Sequence, residues 1–241
     1  MLDVQADPRD HRTRQQKTGL TALTLKETES QTRRGLVLFI AVAITFELAL
    51  IAFTKYQSII QKINFFSEHT FFTQFSSAQI ILIAITAVVN GVLIKKYRGI
   101  TRSAVGWFSA AAFAIMLAFD EIFEFHELVS KYSGAALDFL GLPIKSSMWD
   151  IPLFFIYAGI GLWLWFSLKK EINQAPLAKG FIYLSALLLG LSVVFDIGLH
   201  RVVAVAWEDG FKLLGFLSIL IAFLAVAVDQ LRFKKSASSK A

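Results

Sequence analysis

Residues 35–54 read GLVLFIAVAITFELALIAFT, an apolar run that contains a single charged residue, Glu47. A helix rises about 1.5 Å per residue, so about 20 residues are needed to cross a hydrocarbon layer of roughly 30 Å. The run lacks the alternation of apolar and polar residues that is typical of a barrel strand. It therefore predicts a transmembrane helix with a carboxyl group inside the span.

Five further apolar runs of similar length follow the first. They cover residues 77–94, 103–125, 149–168, 177–199 and 208–230. The chain of 241 residues is 56% hydrophobic and 17% charged, with a mean hydropathy of +0.59, which excludes an ordinary soluble or disordered chain. The sequence predicts an all-α fold, a polytopic integral membrane bundle of six transmembrane helices.

Lys and Arg gather at alternate ends of these runs. The connections at 95–102 and 169–176 are basic, and so are the N-terminal tail, 1–34, and the C-terminal tail, 231–241. Because cytoplasmic loops carry such an excess of Lys and Arg, we predict that both termini are cytoplasmic. The prediction is a multi-pass cell membrane protein, of a bacterial inner membrane, with its transmembrane domain over 35–230. No basic face with interleaved aromatic residues occurs, so nucleic acid is not an expected partner.

Charged residues inside apolar spans are costly, and they usually face a bundle interior or a wet cavity. Counting from the nearest basic residue places four acids in the outer third of the membrane. The distances are about 20 Å for Glu47, about 27 Å for Asp120, about 28 Å for Asp150 and about 26 Å for Asp196. The inner half holds little that is comparable except Asn90, for which we expect a hydrogen bond between helices.

Helical spacing places some of these acids on a common helix face. Asp120 and Glu124 are four residues apart, so both side chains lie on one face of a helix. Glu127 continues the same stripe three residues later. Asp196 and His200 are also four apart and predict a second such face.

Charge counting gives a stronger argument, because nine carboxylates stand near this depth against two nearby cations, Arg201 and Lys212. The nine are Glu47, Asp120, Glu121, Glu124, Glu127, Asp150, Asp196, Glu208 and Asp209. So many uncompensated charges cannot all face a low-dielectric interior. Either several carboxyls are protonated as a coupled set, or a bound cation supplies the missing charge, or some carboxylates face water.

The leading hypothesis from the sequence is a metal site. Carboxylates from several helices with one imidazole, in a chain without Cys, suit zinc, iron or manganese. The candidate metal ligands are Glu47, Asp120, Glu124, Asp150, Asp196 and His200, with Glu127 and Glu208 as hydrogen-bond partners of those ligands. A metal-bound water could then hydrolyse an ester, amide or phosphoester, and a redox metal could oxidise its substrate. The depth of the cluster favours a lipid-like substrate or another small molecule that enters from the membrane.

Two other functions fit the same residues. Intramembrane carboxylates serve proton- or cation-coupled carriers, although carriers usually place their sites near the membrane midplane. Alternatively, the protein is a structural or partner-binding membrane subunit whose acids pair with nearby cations or face water. Glu208 and Lys212, four apart and in the favourable order, would be such a pair.

The connection over 55–76 contains five Phe residues around Glu68 and His69. It is too apolar for a solvated loop and too short and interrupted to span. We expect it to lie in the membrane interface, either over a lateral opening between helices or as ordinary aromatic anchoring.

Overall fold

The computed structural model describes residues 30–32, 34–56, 71–123, 125–139, 151–198 and 202–238. Within these ranges the chain forms seven helices. They are α1 (Ser30–Tyr56), α2 (Phe71–Arg98), α3 (Arg102–Phe123), α4 (Phe125–Phe139), α5 (Ile151–Gln174), α6 (Pro176–Gly198) and α7 (Val202–Ser238). The chain divides into two compact units, Met1–Val42 and Ala43–Ala241. In the first unit the described residues form the first half of α1, and most of their side chains are exposed. All contacts given below lie within the second unit.

Six of the helices in the described part of the chain are long and apolar enough to cross a membrane. The candidate spans are Ser30–Tyr56, Thr73–Arg98, Arg102–Phe123, Leu153–Gln174, Pro176–Phe195 and Trp207–Leu231. This confirms the six predicted apolar helices and is compatible with a multi-pass membrane protein. The side of the membrane that the termini face stays a prediction.

The boundaries of the elements differ from the prediction at three places. Helical residues continue beyond the helix predicted over 103–125: α3 is described to Phe123 and α4 from Phe125 to Phe139, with residue 124 between them outside the described residues. With 15 residues α4 is too short to span, and its apolar side chains Phe125, Leu128, Val129, Tyr132 and Phe139 are exposed. α4 therefore lies in a stretch that hydropathy assigned to a connection, because an apolar run locates a span and not the helical turns beyond it.

The second and third differences are helices that extend further than their apolar runs. α2 begins at Phe71, so the end of the connection predicted over 55–76 is helical, while 57–70 lie outside the described residues. α7 runs from Val202 to Ser238, well beyond the predicted 208–230. Hydropathy locates the span of a helix, whereas backbone hydrogen bonding can continue through turns on either side of it, as it does over 231–238 of α7.

α2 and α3 form a tight antiparallel pair because each carries a buried stripe at alternating spacings of three and four residues. The stripe of α2 is Ile80, Ile83, Ala87, Asn90 and Ile94, and that of α3 is Ala104, Trp107, Ala111, Ala114 and Ala118. The small residues of α3 allow the two backbones to approach closely, which drives helix association in lipid. Gly99 turns the chain between the helices with a φ of 75°, a conformation that favours glycine.

α7 is the central helix of this unit, since residues from Leu213 to Ala227 are buried on most of its sides. It packs against α2 and α6, and the Trp107 ring meets the Phe223 ring edge to face with centroids 4.7 Å apart. The Asn90 amide nitrogen donates a hydrogen bond of 3.0 Å to the Phe223 carbonyl oxygen. The predicted hydrogen bond between helices at Asn90 is therefore confirmed.

Contacts between side chains show that the helices alternate in direction. Ser76 near the start of α2 meets Glu121 near the end of α3, and Arg98 at the end of α2 meets Glu171 near the end of α5. The bundle thus has two ends. We call the end at which α2 begins and α3 ends the carboxylate end, and the opposite end the basic end.

Candidate functional site

Among the described carboxyls of the carboxylate end, Glu47 is the most deeply buried, with 2% of its surface exposed. The amide nitrogen of Gln79 on α2 donates a hydrogen bond to Glu47 Oε1. Glu47 Oε2 and Gln79 Oε1 are both buried and have no hydrogen-bond partner among the described residues. In the described part of the chain, this carboxyl therefore has a neutral partner and no cation.

Ser76 lies three residues before Gln79 and so shares its face of α2. Its hydroxyl donates a hydrogen bond of 2.7 Å to Glu121 Oε1 on α3. The other carboxylate oxygen, Glu121 Oε2, is 2.7 Å from Lys212 Nζ on α7. Glu121 thus connects three helices, and each of its oxygens has its own donor.

The ammonium group of Lys212 is surrounded by negative charge. Glu208 and Asp209, one turn earlier on α7, interact electrostatically with it in addition to Glu121. The favourable pair proposed between Glu208 and Lys212 is thus part of a larger group. Within that group the ammonium of Lys212 forms an ion pair with Glu121 on another helix, which sequence spacing could not indicate.

Asp120 precedes Glu121 but points to a different neighbour, because successive residues are about 100° apart around a helix. It is 8% exposed, and the Tyr157 hydroxyl on α5 donates a hydrogen bond of 2.9 Å to its Oδ2. The Tyr157 ring also meets Phe113 at a centroid distance of 5.9 Å. These contacts hold α5 against α3 at the carboxylate end.

Three of the eight residues predicted for the metal site have described side chains. Glu47 and Asp120 are buried and bound to different partners, Gln79 and Tyr157, and Glu208 lies on α7 near Lys212. Glu124, Asp150 and His200 lie outside the described residues, and the side chains of Glu127 on α4 and Asp196 on α6 are likewise not described. The predicted helical pairs of Asp120 with Glu124 and Asp196 with His200 stay predictions.

The described side chains contain no group of three or more His, Cys, Asp or Glu residues that could hold a metal ion. Of the predicted ligands with described side chains, Glu47 accepts a hydrogen bond from Gln79 and Asp120 accepts one from Tyr157. The metal site, with zinc, iron or manganese as its ion, remains a prediction that rests on the residues beyond this part of the chain.

Sequence reasoning did not single out Ser76, Gln79 or Tyr157, because it weighed charged residues and passed over neutral polar ones. Gln79 did give a signal, since a side-chain amide inside an apolar span needs a partner on another helix. Its position three residues after Ser76 would have predicted one polar face on α2. The identity of the partners, Glu47 and Glu121, requires the fold.

Among the described residues, the basic end holds one buried carboxylate, Glu171 on α5, which is 4% exposed. Its Oε1 is 3.4 Å from the Arg98 guanidinium at the end of α2. The sequence interpretation had placed Glu171 in the connection between two helices. In the structure it occupies the last turns of α5 and joins this helix to α2.

One comparison with known proteins finds a match. The model of a protein family described as a domain of unknown function (DUF8692) matches residues 28–227. This range contains five of the six candidate spans completely and most of the sixth. No curated protein and no solved structure matches the chain.

Proposed function

The chain belongs to the DUF8692 family, and we propose that it is a cation-coupled membrane carrier in which the Glu47 carboxyl binds the coupling cation, a proton included. Six helices that are long and apolar enough to cross a membrane support the membrane setting. The observation that carries the proposal is the buried Glu47 carboxyl, whose described partner is a neutral amide.

A buried carboxylate is stable when a positive charge or a proton compensates it. Glu121 and Glu171 meet this condition with Lys212 and Arg98. Gln79 gives Glu47 a hydrogen bond but no charge. A bound cation supplies the charge that is missing from the described surroundings of Glu47.

The two oxygens of this pair that have no described hydrogen-bond partner support the same proposal. Glu47 Oε2 and Gln79 Oε1 are both hydrogen-bond acceptors, and an unpartnered buried acceptor costs free energy. A proton on Glu47 gives the pair the donor that it lacks. A small cation would instead take both oxygens as ligands, since hard cations prefer oxygen.

The test uses the purified full chain. The thermal unfolding midpoint is measured as sodium replaces choline at constant ionic strength, and separately as the pH is lowered. We expect the midpoint to rise with one of these cations and Glu47→Gln to abolish the rise. Proteoliposomes with an internal pH dye or radioactive sodium then show whether the same cation crosses the membrane.

Glu171→Gln is the matched control, because it removes an equally buried carboxylate that already has a cationic partner. This variant should retain the cation dependence that Glu47→Gln loses. An unfolding midpoint that depends on the cation, without flux of that cation into proteoliposomes, would contradict transport and would indicate a cation-binding site only. A midpoint in the wild type that responds to neither sodium nor pH would contradict the whole proposal.

A metal-dependent membrane enzyme acting on a lipid-like substrate is the function that the sequence placed first, and elemental analysis tests it on the same preparation. Near-stoichiometric zinc, iron or manganese in the wild type, lost in Asp196→Ala and Glu124→Ala, would favour it over the carrier. A metal-replete preparation of the wild type that contains none of the three would contradict it.

We also propose that the basic end faces the cytoplasm, which would place both termini there. The support is the excess of Lys and Arg at this end. The chain has no Cys, so a single cysteine can report its side of the membrane. Asn173→Cys at the basic end should react with a membrane-impermeant maleimide in inverted vesicles and not in intact cells; Tyr132→Cys on α4 should show the reverse.

A further inference from the structure

Two turns at the basic end carry an unusual number of exposed cations. One covers residues 95–102, where α2 ends and α3 begins, and the other covers residues 169–179, where α5 ends and α6 begins. The cations are Lys95, Lys96, Arg98, Arg102, Lys169, Lys170 and Lys179, and all seven are exposed. The two segments contain one acidic residue, Glu171, and it is bound to Arg98. We call these seven side chains the basic surface.

The fold brings the two turns together, although some 70 residues separate them in the sequence. The Arg98 guanidinium of the first turn reaches Glu171 of the second at 3.4 Å. One turn inside the bundle, a Cβ placed on Gly106 would lie 3.0 Å from Ser167 and from Leu168. α3 and α5 therefore touch closely here, and the cations of both turns form one continuous surface.

Two of the lysines show where this surface lies along the spans. Lys169 Nζ is 5.3 Å from the centroid of the Phe166 ring, and Lys179 Nζ is 6.0 Å from that of the Tyr183 ring. Both rings belong to candidate spans and lie further inside them than the lysines. Both ammonium groups therefore lie over aromatic rings at the ends of candidate spans, where aromatic and cationic side chains meet at the level of the lipid headgroups.

Two helices also begin at this end, α3 at Arg102 and α6 at Pro176. Another helix ends at each of these junctions, α2 at Arg98 and α5 at Gln174, and its partial negative charge offsets that of the N-terminus, so the charge of this end comes from the side chains. Thr101 caps α3, its hydroxyl accepting a hydrogen bond of 3.2 Å from the Ala104 backbone nitrogen, so the end of the helix is held in place.

We propose that the basic surface binds the headgroup of an anionic phospholipid. Position and charge indicate this partner. The cations lie at the ends of membrane-spanning helices, where phosphates of the bilayer lie, and the one acidic residue of the two turns, Glu171, is bound to Arg98. A zwitterionic lipid offers the same phosphate with a cation beside it, so a lipid with net negative charge fits better. This inference does not depend on the role of Glu47.

The experiment measures lipid binding to the delipidated full chain in mild detergent by native mass spectrometry. Phosphatidylglycerol is compared with phosphatidylcholine of the same acyl chains. The test variant replaces Lys95, Lys96, Lys169 and Lys170 with Gln. Because each cation near an anionic surface contributes on the order of a fivefold change in affinity, we expect the variant to lose at least about tenfold in phosphatidylglycerol affinity.

Two controls separate charge from damage to the fold. The same four positions changed to Arg should keep the preference, and Lys131→Gln, an exposed site on α4, should leave it unchanged. Equal affinity of the wild type for both lipids would overturn the proposal, as would a Gln variant that keeps the preference. Inorganic phosphate that displaces phosphatidylglycerol at millimolar concentration would also overturn it, because the surface would then be a site for soluble anions.

Discussion

The two ends of the bundle each join their helices with an ion pair, but the pairs have different surroundings. At the carboxylate end Glu121 is 2.7 Å from Lys212, and their side chains are 14% and 28% exposed. At the basic end Glu171 is 3.4 Å from Arg98, and the exposures are 4% and 47%. One pair is enclosed on both sides, whereas the cation of the other reaches the surface.

The difference shows that an ion pair between helices has a different role at each end. Glu121 also accepts a hydrogen bond from Ser76, so its pair is one link in a network across three helices. At the basic end α3 and α5 instead pack closely at Gly106, and the Arg98–Glu171 pair lies at the edge of this contact. Polar contacts therefore stabilise the helix packing at the carboxylate end, whereas close packing at Gly106 stabilises it at the basic end.

The largest expected effect tests the enclosed pair. Lys212→Met keeps the length of the side chain but leaves Glu121 with Ser76 alone. Removing one partner of an enclosed ion pair leaves an uncompensated charge, so we expect a loss of about 3 kcal/mol in the free energy of unfolding. Reversible unfolding in mixed micelles, followed by circular dichroism, measures it.

A double-mutant cycle gives this prediction its control. Glu121→Gln removes the charge that Lys212→Met would strand, so the double variant should lose less than the sum of the two single losses. Losses that simply add would mean that the two side chains do not interact. The carboxylate end would then have to be held by packing, as the basic end is.

The same contrast separates what the sequence could predict from what it could not. Six apolar helices follow from hydropathy, because each span must satisfy its backbone hydrogen bonds within itself, and the structure confirms them. The gathering of acids toward one end follows from counting residues along each helix. Which side chains meet does not follow, since the rotation of each helix selects Gln79 for Glu47 and Tyr157 for Asp120.

Helix α4 shows a second limit. The sequence after residue 125 is too polar to span, so hydropathy assigned a connection to a stretch whose backbone is helical. Glu171 shows a third limit, because a charged residue near a helix end resembles a solvated one until a neighbouring helix covers it. For Glu171 the deciding information is tertiary contact, which a single sequence does not contain.

The next prediction concerns the packing of the basic end. A Cβ at Gly106 would come within 3.0 Å of the Ser167 Cβ and of a Leu168 methyl, closer than side-chain carbons normally approach. Gly106→Ala should therefore push α5 from α3 and reduce the free energy of unfolding by about 2 kcal/mol. The same unfolding measurement applies. Gly159→Ala on α5 is the matched control, because nothing lies within 4 Å of its added Cβ.

The smallest expected effect belongs to Arg98→Gln. This variant removes the charge of the exposed pair and leaves Glu171 with a neutral amide as its partner, as Glu47 has in Gln79. Arg98 is 47% exposed, so water and salt already screen its side of the pair, but Glu171 is 4% exposed and loses its charged partner. The expected loss is therefore about 1 kcal/mol, above that of a fully exposed pair. Added salt should weaken the wild type slightly and leave the Gln variant unchanged, whereas the effect of Lys212→Met should persist at high salt. If Arg98→Gln costs as much as Lys212→Met, the basic end depends on its ion pair as strongly as the carboxylate end does. A neutral partner would then be costly at either end, which would strengthen the argument that Glu47 needs a bound cation.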